Sequence, residues 1–473
     1  MSRYHLLIIG AGPAGLSAAF AAARSGARVA LIERHLLGGN CLNTGCIPSK
    51  TIIRTSRLYR DMRDAELFGG QVPGGITVDF PAVMARVRRV RDRLSESISA
   101  ERLAAIGIDV YFGEARFAGP DSVTVGTEVL RFKRALITTG ARPVNPPVPG
   151  LAEAGFLTYE NVFDLTECPE RLLVIGGGPT GCELAQAFAR LGSQVTLVQD
   201  EPMFLGNEER DAAQLLSDAL VRDGIDIHLD TQATGVRVHG RDTVVDLVRD
   251  GTTRTVAVDR ILVGAGTTPN VKNLALETAG VSCDTERGIV VDDFLRTTNR
   301  HIFAAGDVCT ENKFPHTDNV AGRIVVANAL FWGRQRLSAQ VVPWCTFTDP
   351  EIAHVGMYVT EAREKNIAVK TFTVLMHEVA RAIADGEQDG FVKIHVREGT
   401  GQILGATVVA RHAGDLINEI SLAMSAGLDL QALARVNQPY PTQSQAIAMA
   451  ANAYMQSRPN ARRTWLRTKW LSW

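Results

Sequence analysis

The chain has 473 residues, with 50 Lys plus Arg against 51 Asp plus Glu, a formal net charge of −1 and 45% hydrophobic residues. That length is too great for one core and calls for about three domains, while the charge balance offers no footprint for nucleic acid. Seven cysteines in so long a chain do not make a secreted disulfide scaffold. The apolar run from Leu6 to Ala23 has the length of a signal peptide or a short span. Gly10, Gly12, Pro13 and Gly15 interrupt it, and it lacks a basic leading segment and a convincing cleavage site. It reads better as a buried strand, a turn and a helix. With no other stretch apolar enough to cross a bilayer, the expectation is a cytoplasmic protein without an integral membrane segment.

Residues 5–33 set out a first nucleotide-binding unit. A strand from His5 leads into Gly10-Ala-Gly12-Pro-Ala-Gly15 and a helix of small residues, and a second strand ends at Glu33. Glycines at those positions permit a tight turn, close approach of the backbone to a pyrophosphate, and close helix–strand packing. The helix N-terminus faces the phosphate charge, and an acid at the end of the next strand is placed for a ribose diol.

The stretch Gly38-Gly39-Asn40-Cys41-Leu42-Asn43-Thr44-Gly45-Cys46-Ile47-Pro48-Ser49-Lys50 follows. Two cysteines with four residues between them are neither a thioredoxin-type pair nor half of a common zinc site. The spacing puts both sulfurs near one face of a slightly opened helical turn, where a disulfide can close. A thiolate there gains from the helix N-terminus and from Lys50. Two merely packed cysteines would not need Gly38, Gly39, Gly45 and Pro48. The pair reads as a redox dithiol.

This motif resembles the signature of the flavin-dependent pyridine nucleotide–disulfide oxidoreductases, the family of glutathione reductase, lipoamide dehydrogenase and mercuric reductase, and the resemblance extends along essentially the whole chain. It implies an α/β fold of two Rossmann-like dinucleotide-binding domains plus a C-terminal α+β dimerisation domain. The expected division is 1–150 and 271–340 for FAD, 151–270 for NAD(P), 341–460 for the interface, and 461–473 as a basic, Trp-rich tail. By the same resemblance Ala115 contacts the adenine end, Thr139 and Gly140 form the exit from the FAD domain, and Asp307 accepts from the ribityl chain. A proline-rich linker runs from Pro143 to Gly150.

A second glycine turn, Gly176-Gly-Gly178-Pro-Thr-Gly181, follows a strand at Arg171 and precedes one that ends at Gln199. Two such turns mean two dinucleotides, and a dithiol between them makes one a flavin. The resemblance assigns FAD to the first turn and the nicotinamide cofactor to the second. Gln199 stands where an acid would favour NADH, but Asp200 and Glu201 follow and no arginine is near to receive a 2′-phosphate. The reading favours NAD(H) over NADP(H). Gly266-Thr267-Thr268-Pro269-Asn270 lacks the arginine usual in that family motif.

The resemblance also implies a mechanism. Hydride passes from NAD(P)H to the flavin, and the flavin reduces a Cys41–Cys46 disulfide. Cys46 lies on the flavin side and Cys41 faces the substrate, with Lys50 near the flavin and paired with Glu183. No metal site is expected. From Val341 alternating strands and a helix from Gly414 to about Ala426 resemble the interface domain, which implies a homodimer whose partner completes each site. Near the end, Pro439-Tyr440-Pro441-Thr442 and Gln445 replace the His-Pro-Thr-x-x-Glu of the disulfide reductases. A phenol titrates near pH 10 and is a poor base at neutrality. Tyr440 at that place resembles mercuric reductase, yet the Cys-Cys pair near that enzyme's C-terminus is missing and its N-terminal metal-carrying domain is not seen. The acceptor expected is a small disulfide, a metal ion or another soft electrophile. The alternatives are a dihydrolipoyl dehydrogenase without the His-Glu base and a redox-switched interaction flavoprotein. In the tail, Leu466, Trp470 and Trp473 share a helical face, fit for dimer packing or for a membrane-surface foot.

Overall fold

The apolar runs become central strands. The computed structural model describes residues 3–240, 242–310 and 313–458, so the expected tail, 461–473, lies outside the described residues. The described chain divides into two units, Met1–Gly206 with Leu220–Gln340, and Asn207–Ala219 with Val341–Trp473.

In the first unit, five parallel strands run in the order Ile108–Phe112, Val29–Glu33, Tyr4–Ile9, Glu128–Ile137, Ile302–Ala304. Two antiparallel strands, Ser122–Val125 and Ala115–Gly119, extend the sheet beyond Glu128–Ile137. Leu6, Leu7 and Ile8 are fully buried, as a run covered on both faces of a parallel sheet must be. Helix Pro13–Arg24 packs on helix Pro315–Leu330, closely enough that a Cβ on Gly322 would meet the Ala14 carbonyl oxygen at 2.3 Å. A second parallel sheet follows the order Asp226–His228, Gln194–Val198, Arg171–Ile175, Arg260–Val263. A three-stranded antiparallel sheet, Gln232–His239, Asp242–Arg249 and Thr252–Val258, accompanies it.

Two long helices join these sheets through a polar seam. Helix Cys46–Arg63 lies along helix Pro179–Arg190. At its lower end Asp223 accepts from Arg190 Nε at 2.8 Å, Gln186 Nε2 at 2.9 Å and Arg60 Nη1 at 3.3 Å, while Arg63 Nη2 donates to the Arg190 carbonyl at 2.7 Å. Asp223 has 3% of its side chain exposed and Arg190 6%. At the upper end Lys50 meets Glu183, as described below.

The second unit is a five-stranded antiparallel sheet in the order Pro343–Thr346, Glu351–Gly356, Ile403–Ala410, Phe391–Arg397, Val369–Leu375, with helices Ala413–Ser425 and Gln445–Ser457 packed in its core. Segment Asn207–Ala219 groups with this unit because its acids are anchored there. Glu208 accepts from Trp344 Nε1 and from the Tyr358 hydroxyl, each at 2.8 Å, and Glu209 meets Lys393 at 2.7 Å and His395 at 3.0 Å. Burial pushes Glu209 up, but hydrogen bonds from His395 and Lys393 outweigh it and hold the carboxyl at about 2. Burial among Trp344 and Tyr358 pushes His354 down to about 3.

Removing one partner of a buried ion pair costs about 3–5 kcal/mol, because the other charge is left uncompensated. Asp223→Ala should therefore lower the stability of the protein by about 3 kcal/mol in urea unfolding; a loss under about 1 kcal/mol would show that the seam's lower end is not structural.

Candidate active site

Both glycine turns have the geometry their sequences call for. Gly10 sits at φ +106°, and an added Cβ would meet the Thr138 carbonyl oxygen at 2.3 Å; one on Gly15 would meet the Gly10 oxygen at 2.0 Å. In the second turn Gly176 sits at φ +108° with the Gly264 oxygen 2.7 Å from its would-be Cβ, and a Cβ on Gly181 would stand 1.9 Å from the Gly176 oxygen. These are backbone collisions, so no side-chain adjustment relieves them. Gly12 and Gly178 differ. A Cβ there would find nothing nearer than 4.0 Å and 3.9 Å, so both face open space at the start of a 12-residue helix with no side-chain cap. Uncapped N–H groups beside an open approach suit a pyrophosphate.

The acid and amide that end the next strands both brace these turns. Glu33 accepts from Ala11 N and from His35 N, each at 2.8 Å, and Gln199 Oε1 accepts from Gly177 N at 2.6 Å. Gln199 thus holds its turn as Glu33 does, without the charge.

The dithiol occupies two helices rather than one opened turn. Cys41 lies in the short helix Gly39–Asn43, and Cys46 opens helix Cys46–Arg63. Gly45, at φ −116° and ψ −106°, breaks the path between them, and its N–H folds back to the Asn40 carbonyl at 2.6 Å. Gly39, at φ +59°, stands so close to Gly12 that a Cβ would meet the Gly12 Cα at 2.7 Å. This contact docks the dithiol on the phosphate turn. Asn40 Nδ2 adds a hydrogen bond to the Ala141 carbonyl at 2.8 Å.

Both cysteines are unbridged, and they share one proton unequally. A hydrogen bond from Cys41, then the charge of Lys50, outweigh burial and hold Cys46 below the usual thiol range. The same hydrogen bond, with burial and the charge of Cys46, pushes Cys41 far up. Of the two, Cys46 is the sulfur favoured as thiolate and Cys41 the one favoured as thiol. Position at the head of an 18-residue helix favours the negative charge further.

A cleft of about 740 Å³ runs from Glu33 to the dithiol. Gly10, Gly12, Glu33, Cys41, Cys46, Lys50, Ala115, Thr139, Gly140, Asp307 and Glu183 all line it. Lys50 Nζ donates to Glu183 Oε2 at 2.8 Å, with Glu183 only 6% exposed. Thr139 Oγ1 donates to the Asn270 carbonyl at 2.8 Å, and Asn270 Nδ2 returns a bond to the Thr139 carbonyl at 2.9 Å. Burial raises the Asp307 carboxyl and the nearby Lys313 opposes that shift. Lys313 Nζ also reaches the hydroxyl of Thr267 at 2.8 Å, placing a cation beside the position where the motif lacks its arginine. Gly266, at φ +93°, turns the chain before Thr267 and passes its carbonyl to Val144 N. The open approach at Gly12, the uncapped helix and the acid-braced turn fit FAD along this cleft.

Cys41 lines a second space as well. A groove of about 500 Å³ is lined by Leu16, Phe20, Leu42, Leu94 and Ile98, with Arg24 and Arg323 among its polar members, and of the two cysteines it touches Cys41 alone. Sequence reasoning had no signal for this groove, which is assembled from four separate stretches. Asp318, a buried acid in the cofactor cleft, escaped it too. Tyr440 belongs to the second unit, where it is 73% exposed; Gln445 begins helix Gln445–Ser457. Among the described residues no group of three or more His, Cys, Asp or Glu is placed to hold a metal ion, and no helix is long and apolar enough to cross a membrane.

Comparison with known proteins agrees with this geometry. The family model described as pyridine nucleotide-disulphide oxidoreductase matches residues 4–328, and the dimerisation domain of that family matches 342–451. Mercuric reductase of Staphylococcus aureus is 33% identical over 95% of this chain and 82% of its own. Dihydrolipoyl dehydrogenase of Chlamydia trachomatis is 33% identical over 95% of this chain and 96% of its own. Among solved structures, the HOCl-induced flavoprotein disulfide reductase RclA from Escherichia coli superposes with a TM-score of 0.85 at 30% identity, over 95% of this chain and 99% of that one. The chain belongs to the pyridine nucleotide-disulphide oxidoreductases, FAD-dependent enzymes, and within them to the mercuric-reductase-like members.

Proposed function

We propose that this enzyme carries reducing equivalents from NADH through FAD to the Cys41–Cys46 pair and on to a small disulfide, metal ion or other soft electrophile. The observation that carries this reading is the division of the two sulfurs between two spaces. Cys46 lines the cofactor cleft and not the groove, whereas Cys41 lines both. Bound FAD supplies a two-electron relay between a nicotinamide and the disulfide.

The protein's own groups do the rest. Cys46 holds the negative charge beside Lys50 at the helix N-terminus, and Cys41 holds the proton and meets the acceptor. Glu183 keeps Lys50 directed into the cleft. The groove's lining is mostly apolar and includes two arginines, which suits a compact acceptor with an anionic or polar end. Asp200 and Glu201 oppose a 2′-phosphate at the second turn, and the first arginine after Gln199 is Arg210, which supports NADH over NADPH. The dimerisation domain supports a homodimer whose partner brings Tyr440 to each site, and a redox pair among otherwise unbridged cysteines supports the cytoplasm. Tyr440 in place of a histidine favours acceptors whose leaving groups need little protonation, so metal ions and strained electrophiles rank above dihydrolipoyl substrates.

Cys41→Ser should abolish acceptor turnover while NADH still reduces the flavin at its normal rate; acceptor turnover at the wild-type level would contradict the mechanism. Lys50→Met leaves Glu183 buried without its cation. It should slow flavin reduction by NADH about a hundredfold, equivalent to about 2.7 kcal/mol of barrier, with a much smaller change in acceptor KM. Equal losses in both half-reactions, measured by stopped flow, would place Lys50 outside the hydride step.

A further inference from the structure

Asp318 lies four residues into helix Pro315–Leu330 and faces the cofactor cleft. It is 8% exposed, and its Oδ1 has no hydrogen-bond partner among the described residues. The carboxyl is pressed against the chain at Gly306, where a Cβ would stand 3.3 Å from its Cγ and from both oxygens. A buried orphan oxygen is costly unless the group has another role or is kept neutral. Several charged groups surround it. Asp307 is on the adjoining loop, Cys41 on the short helix, and Cys46 and Lys50 on the long one, with Glu183 behind Lys50. Lys313 precedes the helix of Asp318, His316 lies in its first turn and Arg323 further along; the thiol of Cys309 faces Asp318 from the loop after Asp307, while the packed helix Pro13–Arg24 brings no ionisable side chain before Arg24.

We propose that Asp318 is a positioning residue that stores a proton for the dithiol, taking it up when the disulfide is reduced and giving it back when the dithiol is reoxidised. The proposal rests on the reading of Cys41 and Cys46 as the redox pair. Reduction opens the S–S bond with the electron pair and proton of one hydride from NADH, leaving Cys41 as thiol and Cys46 as thiolate. The new negative charge draws a second proton from solvent onto the Asp318 carboxylate. When a disulfide acceptor is reduced, the S–S bond of the protein re-forms. Its two leaving thiolates then receive one proton from Cys41 and one from Asp318, which returns to carboxylate. Charge and protons balance at each step. The chain thereby supplies internally the proton that a histidine at the position of Tyr440 would have provided.

The electrostatics agree in sign. With the cysteines unbridged, burial first, then the charges of Asp307 and Cys46, push the Asp318 carboxyl up to about 8. Without the Cys46 thiolate one of those causes disappears, and the carboxyl ionises at lower pH. Between its disulfide-state value and about 8, reduction is therefore accompanied by proton uptake at Asp318.

The test is the redox equilibrium of the Cys41–Cys46 pair. The purified flavoprotein is held in dithiothreitol redox buffers between pH 6 and 9, thiols are trapped by alkylation, and the fraction reduced is read by peptide mass spectrometry. In the window below about pH 8, the midpoint potential of the pair, referred to the dithiothreitol couple at each pH, should fall more steeply with pH in the wild type than in Asp318→Asn. The difference should approach an additional tenfold per pH unit, about 30 mV on this two-electron couple. Asp318→Ala should behave as Asp318→Asn does, and Asp318→Glu should restore part of the steeper slope. Normal pairing of the cysteines with parallel slopes in the wild type and both neutral variants would overturn the proton store alone. Failure of Cys41 and Cys46 to pair under any redox buffer would overturn the dithiol reading and this proposal with it.

Discussion

The structure depends on the seam between the dithiol helix and the helix of the second glycine turn. Lys50 and Glu183 close its upper end at 2.8 Å, and Asp223 gathers Arg60, Gln186 and Arg190 at the lower end. Burying a carboxylate is costly without a compensating charge, and Glu183 meets one in the cation beside Cys46. The charge that lowers Cys46 and the charge that links the dithiol helix to the helix of the second glycine turn are therefore the same ammonium. Moving the helix would unpair Glu183 and weaken the Cys46 thiolate at once. Structure and chemistry share one constraint.

Glycine contacts provide the other half of the geometry. Gly39 leaves no room for a Cβ against Gly12, where the dithiol segment meets the first glycine turn, and Gly45 separates the two cysteines onto different helices. The result is an asymmetric pair. Cys46 receives a helix N-terminus, Lys50 and the cofactor cleft, while Cys41 receives a hydrogen-bonded proton and an opening to the groove. Those differences in surroundings distinguish two chemically identical residues before any other group is considered.

What the sequence disclosed depended on distance along the chain. The two glycine turns, Glu33, Gln199 and the Cys41/Cys46 pair were legible because spacing within about 25 residues encodes a turn, a helix start and a strand end. The same local reading placed both sulfurs on one helical turn, and it missed that the backbone of Gly45 breaks the helix. Lys50 and Glu183, far apart in sequence, came together on paper only through family resemblance. Asp318 carried no local signal, since an acid in the first turn of a helix is ordinary. The grouping of Asn207–Ala219 with the C-terminal sheet was equally hidden, because Glu208 and Glu209 read as surface charge until Trp344, Tyr358, Lys393 and His395 enclose them. The groove beside Cys41 exists only once four distant stretches are packed.

The most direct measurement of the central claim, that the dithiol accepts electrons through the flavin, is an anaerobic titration of the purified flavoprotein with NADH. Reducing equivalents are counted against the flavin band and against the long-wavelength absorbance of a thiolate lying beside the flavin. The account requires one two-electron pair beyond that of the flavin. It also requires the long-wavelength absorbance to rise during the first pair while the flavin band persists. Uptake of a single pair, with the flavin band bleaching from the first addition, would contradict it.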